Sequence, residues 1–227
     1  MPSMKTVLIT GASRGIGKAL AQKFLQEGFL VFGTSTKGSL DYQHENLRAL
    51  QLDLGSIESI ESCVKKFAET GADLDILVNN AGVLLDEHEK ALRPDLLQAT
   101  LQINVIGTAA FTERMLSSVK KGSHIVMTSS TAGSLERTGH ARARFPSRYP
   151  AYKISKAALN MYMRTLALRM QEEDITVSAV NPGWVKTDMG GEGADLTPEE
   201  SAEDVYQFAV SSPPTGLFWF KGERLPW

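Results

Sequence analysis

Cysteine is almost missing from this chain: one residue, Cys63, among 227. A lone cysteine closes no internal disulfide and has no second cysteine for a structural metal site, so no metal is assigned and a reducing, cytoplasmic setting is expected. An excess of one charge is missing too. With 24 Lys and Arg against 26 Asp and Glu, the net charge of -2 offers no broad field for nucleic acid or an anionic membrane surface, and neither is expected as a partner. No apolar run is long enough to cross a bilayer. The first five residues lead straight into the strand-like Thr6-Val7-Leu8-Ile9, so no signal peptide is expected. Repeats, low-complexity tracts and Pro/Gly/Ser linkers are also absent, which predicts a single domain over residues 1–227. Its 42% hydrophobic content suffices for one sizeable core.

What is present alternates. Short apolar stretches bounded by Gly, Asn or Asp (Thr6–Thr10, Leu30–Thr34, Leu47–Leu52, Leu74–Asn79, Ser123–Thr128, Thr176–Asn181) interleave with helical patterns near Lys18–Gln26, Ile57–Ala68, Pro94–Val119, Ala151–Glu172 and Pro198–Val210. Repeated strand–helix–strand units imply an α/β fold: a doubly wound, Rossmann-type parallel sheet with helices on both faces. A last short strand near Leu217 brings the expected count to about seven. Between Lys37 and Leu47 there is little room for a crossover helix, and Gly38, Asp41 and Asn46 are poor helix formers, so a shortened connection is expected there.

The first strand runs into Thr10-Gly11-Ala12-Ser13-Arg14-Gly15-Ile16-Gly17 and then a helix. Glycines at that junction allow a tight turn and close backbone approach, and the helix N-terminus presents amides and a positive dipole to a pyrophosphate. This is a dinucleotide site in prospect. Sites that prefer NAD carry an acid about 20 residues after the turn, to bind the ribose hydroxyls. Here the corresponding run is Thr34-Ser35-Thr36-Lys37, with no acid before Asp41. Ser35, Thr36 and Lys37, with Arg14 in the turn itself, suit a 2′-phosphate, so NADPH is the expected cofactor and NADH the less favoured.

Further motifs occur in order along the chain: Asp53-Leu54 after the third strand, Asn79-Asn80-Ala81-Gly82 after the fourth, Ser129-Ser130, Tyr152-x-x-x-Lys156, and Asn181-Pro182-Gly183. By this ordered set the chain resembles the short-chain dehydrogenase/reductase family over nearly its whole length. Pro182-Gly183-Trp184-Val185-Lys186-Thr187 and the ending Gly222-Glu223-Arg224-Leu225-Pro226-Trp227 are similar to its C-factor and sniffer-like carbonyl reductase branch. The resemblance implies an NADP-dependent oxidoreductase that reduces a small-molecule ketone or aldehyde to an alcohol. It implies that Tyr152 is the general acid, that Lys156 also holds the nicotinamide ribose, that Ser130 binds the substrate oxygen and that Asn104 holds a water leading from Lys156 to solvent. It further implies that Asp53 reaches the adenine amino group, that Asn80, Ala81 and Gly82 line the adenosine side, and that Pro182 and Gly183 turn the chain under the nicotinamide, whose carboxamide the Val185 backbone and Thr187 hydroxyl hold. Family members commonly pair through the helices near Pro94–Val119 and Ala151–Glu172, so a homodimer or homotetramer is expected. A non-enzymatic alternative, a cofactor-binding signalling protein of the C-factor kind, stays open.

The pair at the centre makes chemical sense by itself. Four residues apart on a helix, Tyr152 and Lys156 share a face, with β-carbons about 5–6 Å apart. A phenol ordinarily ionises near pH 10, and a neighbouring ammonium is expected to lower that value toward working pH. A second frame, Tyr149 to Lys153, has the same spacing and is rotated by about 60° on the helix. The run Ser155-Lys156-Ala157-Ala158-Leu159 resembles the small-residue stretch just after the family's catalytic tyrosine, and it favours Tyr152. For Asn79, a role in bonding the sheet backbone weighs equally with one at the cofactor. Ser130 and Tyr152 stand 22 residues apart, against about a dozen in the family, a spacing that belongs to the resemblance. Ser129 and Ser134 are therefore alternatives to Ser130. The excess lies in the arginine-rich stretch from Arg137 to Arg148, read as a solvated loop with an anion-attracting role as its rival.

Overall fold

The computed structural model describes residues 4–138 and 147–227. Among the described residues, eight strands form one sheet in the order β3-β2-β1-β4-β5-β6-β7-β8. These are β1 (Thr6–Ile9), β2 (Leu30–Ser35), β3 (Leu47–Gln51), β4 (Leu74–Asn79), β5 (Val119–Thr128), β6 (Thr176–Val180), β7 (Phe218–Phe220) and β8 (Glu223–Leu225). The first seven run parallel. The eighth is one more than the sequence suggested: the chain reverses after Phe220 and pairs β8 antiparallel to β7.

Alternation along the strands sorts side chains to two faces. Val7, Ile9 and Val126 point into a core with Leu20 and Phe24 of α1 (Gly15–Gln26). Leu8, Ile125 and Met127 point the other way, onto Ile60 and Phe67 of α2 (Ile57–Ala68). Helices therefore cover both sides, as a parallel sheet requires. Between Ser35 and Leu47 no helix forms, and Gly38 takes a positive φ of 72° in a turn.

One long expected helix is broken. Pro94–Val119 resolves into α3 (Pro94–Leu101), a π-helical turn over Gln102–Gly107 and α4 (Thr108–Met115), while Val119 already belongs to β5. No glycine–proline break or turn cluster marks the π turn in the sequence, whose residues Gln102-Ile103-Asn104-Val105-Ile106-Gly107 read as a continuing helix. Thr108 fills the widened turn by donating its hydroxyl to the Ile103 carbonyl, 3.0 Å away. At Gly107 the backbone comes so close to the loop after β3 that a β-carbon would stand 1.9 Å from the Leu54 carbonyl oxygen. Such turns recur at functional positions, and this one carries Asn104. The remaining helices among the described residues are α5 (Leu135–Thr138), α6 (Pro150–Met170) and α7 (Pro198–Val210).

His124 on β5 supplies a test of the core. Its ring lies buried between the Ala209 carbonyl of α7, 3.0 Å from Nδ1, and the Ser178 hydroxyl at Nε2. Burial lowers its pKa from 6.5 to about 4. Above pH 6.5 the ring is neutral folded or unfolded and its contribution is intact. As pH falls from 6.5 toward 4 the unfolded chain binds the proton first, so stability is lost across that window, by about 3 kcal/mol in all at about 1.4 kcal/mol per pH unit. Urea midpoints should fall between pH 7 and 4.5, more steeply than in His124→Gln. Equal slopes in the two proteins would refute the assignment.

Candidate active site

The C-terminal ends of β1, β4, β5 and β6 converge on one crevice, where the strand order reverses between β1 and β4. On one side lies the glycine turn. Gly11 and Gly15 have φ of 70° and 54°, and a β-carbon on Gly17 would stand 2.2 Å from the Gly11 carbonyl oxygen. Only glycine closes this turn. α1 begins at Gly15 behind Arg14, whose side chain makes no cap bond, so the first amides, those of Gly15, Ile16 and Gly17, point outward to an anion. That is a direct fit to a pyrophosphate.

Two polar side chains lock the turn to β4. Thr10, buried, accepts the amides of Asn80 and Ala81 at 2.9 Å each, and Asn80 gives its side-chain amide to the Thr10 carbonyl at 2.9 Å. Asn80 shapes the turn through that bond. Asn79 is buried and donates to the Thr112 hydroxyl at 3.0 Å, fastening α4 to the sheet. Asp53 accepts the Gly55 amide with one oxygen, and Leu54 beside it is buried core. Ser13, Arg14, Thr36 and Lys37 are exposed at the far end of the crevice. Ser35 is buried and donates to the Ser39 carbonyl at 2.8 Å, holding the short turn that presents Thr36 and Lys37. Arg14 is paired with Asp188, which sits in the segment after β6.

That segment folds over the turn. A β-carbon on Gly15 would stand 3.1 Å from the Thr187 methyl, and Thr187 turns its hydroxyl to the Val185 carbonyl at 3.3 Å. Pro182 is anchored by Ser201 of α7, which donates to its carbonyl at 2.7 Å, and Gly183 comes next with φ of 87°.

On the other side stand the titratable groups. Ser130 caps a short turn over Thr131–Gly133, accepting the Ala132 amide, and its hydroxyl bonds the phenol of Tyr152. Ser129 is buried and donates to Asn160 at 2.6 Å; Ser134 is buried and accepts the Arg137 amide at 3.1 Å. Of the three serines, Ser130 is the one that meets the tyrosine. Lys156 is 4% exposed, its Nζ donating to the Thr128 carbonyl at 2.9 Å and lying 5.6 Å from the centre of the Tyr152 ring. Gly133 permits this approach, since its β-carbon would stand 2.6 Å from the Lys156 carbonyl carbon. Asn104, 1% exposed, clasps Val83 by both backbone groups and donates to Ser155 at 3.0 Å. Above it, a β-carbon on Gly82 would meet Asn104 Oδ1 at 3.2 Å and Lys156 Nζ at 3.5 Å, so the bare glycine leaves the space between them open.

The electrostatics correct one expectation. Tyr152 is not lowered toward neutrality: burial pushes its pKa up to about 12, and the Ser130 hydrogen bond opposes this only in part. Burial also brings Lys156 down to about 8. Spacing gave the distance between the two groups but not the dry surroundings, and desolvation disfavours the charged form of each. The result is a phenol that keeps its proton at neutral pH beside a lysine that holds its charge below pH 8. Tyr149 lies just outside the helix, in the left-handed region at φ 46°, with its ring edge-on to Tyr152 at 6.0 Å. Sequence reasoning missed Thr10, Thr128 and the buried Asp86. Of the arginine-rich stretch, Arg137 and Arg148 are exposed, and residues 139–146 lie outside the described residues. Among the described residues there is no cluster of His, Cys, Asp or Glu suited to a metal, and no helix long and apolar enough to cross a membrane.

The short chain dehydrogenase family model matches residues 5–197. The 3-oxoacyl-[acyl-carrier-protein] reductase of Escherichia coli strain K12 is 31% identical over 192 residues, which span 82% of this chain and 75% of that one. The carbonyl reductase Sniffer of Drosophila melanogaster superposes with a TM-score of 0.86 at 26% identity, covering 99% of this chain and 100% of that one. An NADPH-bound carbonyl reductase from chicken fatty liver superposes with a TM-score of 0.87 at 28% identity, covering 99% of this chain and 94% of that one.

Proposed function

This chain belongs to the short-chain dehydrogenase family, and from that premise we propose that it is an NADPH-dependent carbonyl reductase in which Tyr152 protonates the substrate oxygen. The observation that carries the reading is the meeting of Ser130, Tyr152 and Lys156 at the crevice that the glycine turn opens. Bound NADPH supplies the hydride that goes to the carbonyl carbon. The residues do the rest. Gly15, Ile16 and Gly17 offer the pyrophosphate backbone amides, in a turn that Gly11 shapes while its own amide donates to the Thr34 hydroxyl; Pro182 and Gly183 set the floor, and Val185 and Thr187 hold the carboxamide. Ser130 and Tyr152 hydrogen-bond the carbonyl oxygen of the ketone or aldehyde, and the Tyr152 proton passes to that oxygen as it becomes an alkoxide. Lys156 stabilises the phenolate left behind and holds the nicotinamide ribose. The water path through Asn104 returns a proton from solvent, using the opening at Gly82.

Preference for NADPH rests on Arg14 and Lys37. Arg14 spends its charge on Asp188, yet both side chains are more than three-quarters exposed. An exposed ion pair holds loosely, whereas a doubly charged phosphate takes bidentate, charge-assisted bonds from a guanidinium. The phosphate wins the arginine. The test is NADPH consumption across a panel of ketones, aldehydes and quinones, run in parallel with NADH. Turnover with NADPH, and a cofactor preference that narrows in the Arg14→Ala/Lys37→Ala double variant, is the expected result. Tight NADPH binding with no turnover over the whole panel would favour the signalling protein, and an unchanged preference in the double variant would refute the role of the two cations.

A further inference from the structure

α6 begins without a cap of its own. Tyr149, at the N-cap position, makes no side-chain cap bond, and Pro150 comes next at the first helical position, where it has no N–H to satisfy. The next two amides, of Ala151 and Tyr152, would be orphans. Asp86 takes both. Its Oδ2 accepts the Ala151 amide at 2.6 Å and its Oδ1 the Tyr152 amide at 3.3 Å. Asp86 comes from the segment between β4 and α3, 65 residues earlier in the chain, and is only 2% exposed. Three residues on, the Glu89 carbonyl accepts the Tyr149 amide at 2.9 Å. The same segment therefore grips three successive N–H groups around Pro150, at the turn that carries the proton donor.

A carboxylate is well suited to this place. It meets the positive end of a 21-residue helix, and charge-assisted bonds to backbone amides are stronger than neutral ones. It also holds backbone against strain, because Tyr149 sits in the left-handed region with a proline after it. Tyr152 is the third residue of α6, so its side chain leaves from the turn that Asp86 fixes. The other end of the grip is equally firm: Val83, three residues before Asp86, is held by both backbone groups to Asn104. The segment thus spans from Asn104 to the tyrosine.

We propose that Asp86 is the positioning residue for Tyr152, a borrowed helix cap that aims the phenol at Ser130. This rests on the reading of Tyr152 as the proton donor. Asp86 touches neither substrate nor cofactor in this role, so its loss should appear in kcat and not in cofactor affinity. A misplacement of about 1 Å at a reacting group costs as much as 10²-fold.

The experiment measures kcat, KM, the dissociation constant of NADPH and the thermal midpoint for the parent, Asp86→Ala, Asp86→Asn and Tyr152→Phe, with kcat read well below every midpoint. Asp86→Ala should lose on the order of 10- to 100-fold in kcat with NADPH affinity within about twofold of the parent. Asp86→Asn keeps an oxygen for one amide and should fall between the two, a partial rescue that a simple loss of folded protein does not produce. It also stands as the reporter if Asp86→Ala fails to fold. Parental kcat in Asp86→Asn and in folded Asp86→Ala, beside an inactive Tyr152→Phe, would overturn the positioning role alone. Lowered midpoints with unchanged kcat would overturn it as well, leaving a structural cap. Parental kcat in Tyr152→Phe would overturn both this proposal and the reading beneath it.

Discussion

Tyr152→Phe is expected to lower kcat for carbonyl reduction by about 10²- to 10⁴-fold, the usual worth of a positioned general acid, while NADPH affinity stays within about twofold. Phenylalanine keeps the ring and its volume, so the edge-on contact with Tyr149 survives. What is lost is the hydroxyl that meets Ser130 and that, on the proposed reading, carries the proton. Tyr149→Phe should stay within a few-fold of the parent. Its ring packs beside Tyr152 and under Lys153 Nζ, which lies 5.1 Å from the ring centre. The two Tyr-x-x-x-Lys frames, equal by spacing, differ once Pro150 sets the helix start: Tyr152 projects from its first turn and Tyr149 stands before it. Steady-state rates and NADPH titration on both variants decide the matter. An inactive Tyr149→Phe beside a competent Tyr152→Phe would move the site three residues back, to the Tyr149 frame.

Local rules made part of this structure readable in advance. α2 and α7 lie where their periodicity ends in a cap: Ser56 accepts the Ser59 amide, and Thr197 with Glu200 forms a capping box. The glycine turn was readable because only glycine meets its conformational demands at Gly11, Gly15 and Gly17. Three features depend on contacts far apart in sequence, and there the periodicity is silent. The π turn at Gln102–Gly107 ends where the backbone of Gly107 packs against the Leu54 carbonyl from the loop after β3. The raised phenol of Tyr152 is set by burial that no spacing reveals. Asp86 reads as one more acid in an acidic loop until α6 arrives to meet it.

Lys156→Ala should fail differently from Tyr152→Phe, losing turnover and NADPH affinity together. The backbone at this position is held by Gly133, packed against the Lys156 carbonyl, so the helix should keep its place after the side chain is cut back. On the proposed reading the variant loses both the charge that steadies the phenolate and a partner for the nicotinamide ribose. The parent's pH dependence is set by the same group. Burial lowers Lys156 to about 8, so the ammonium is present below that pH and lost above it, whereas Tyr152, near 12, keeps its proton throughout. Reduction should therefore hold level through neutrality and decline above pH 8, with the lysine setting the alkaline limb. Lys156→Arg retains charge at every accessible pH, so whatever rate it keeps should lack that limb. A limb at the same pH in Lys156→Arg would assign it to another group, and unchanged NADPH affinity in Lys156→Ala would remove the lysine from the cofactor site.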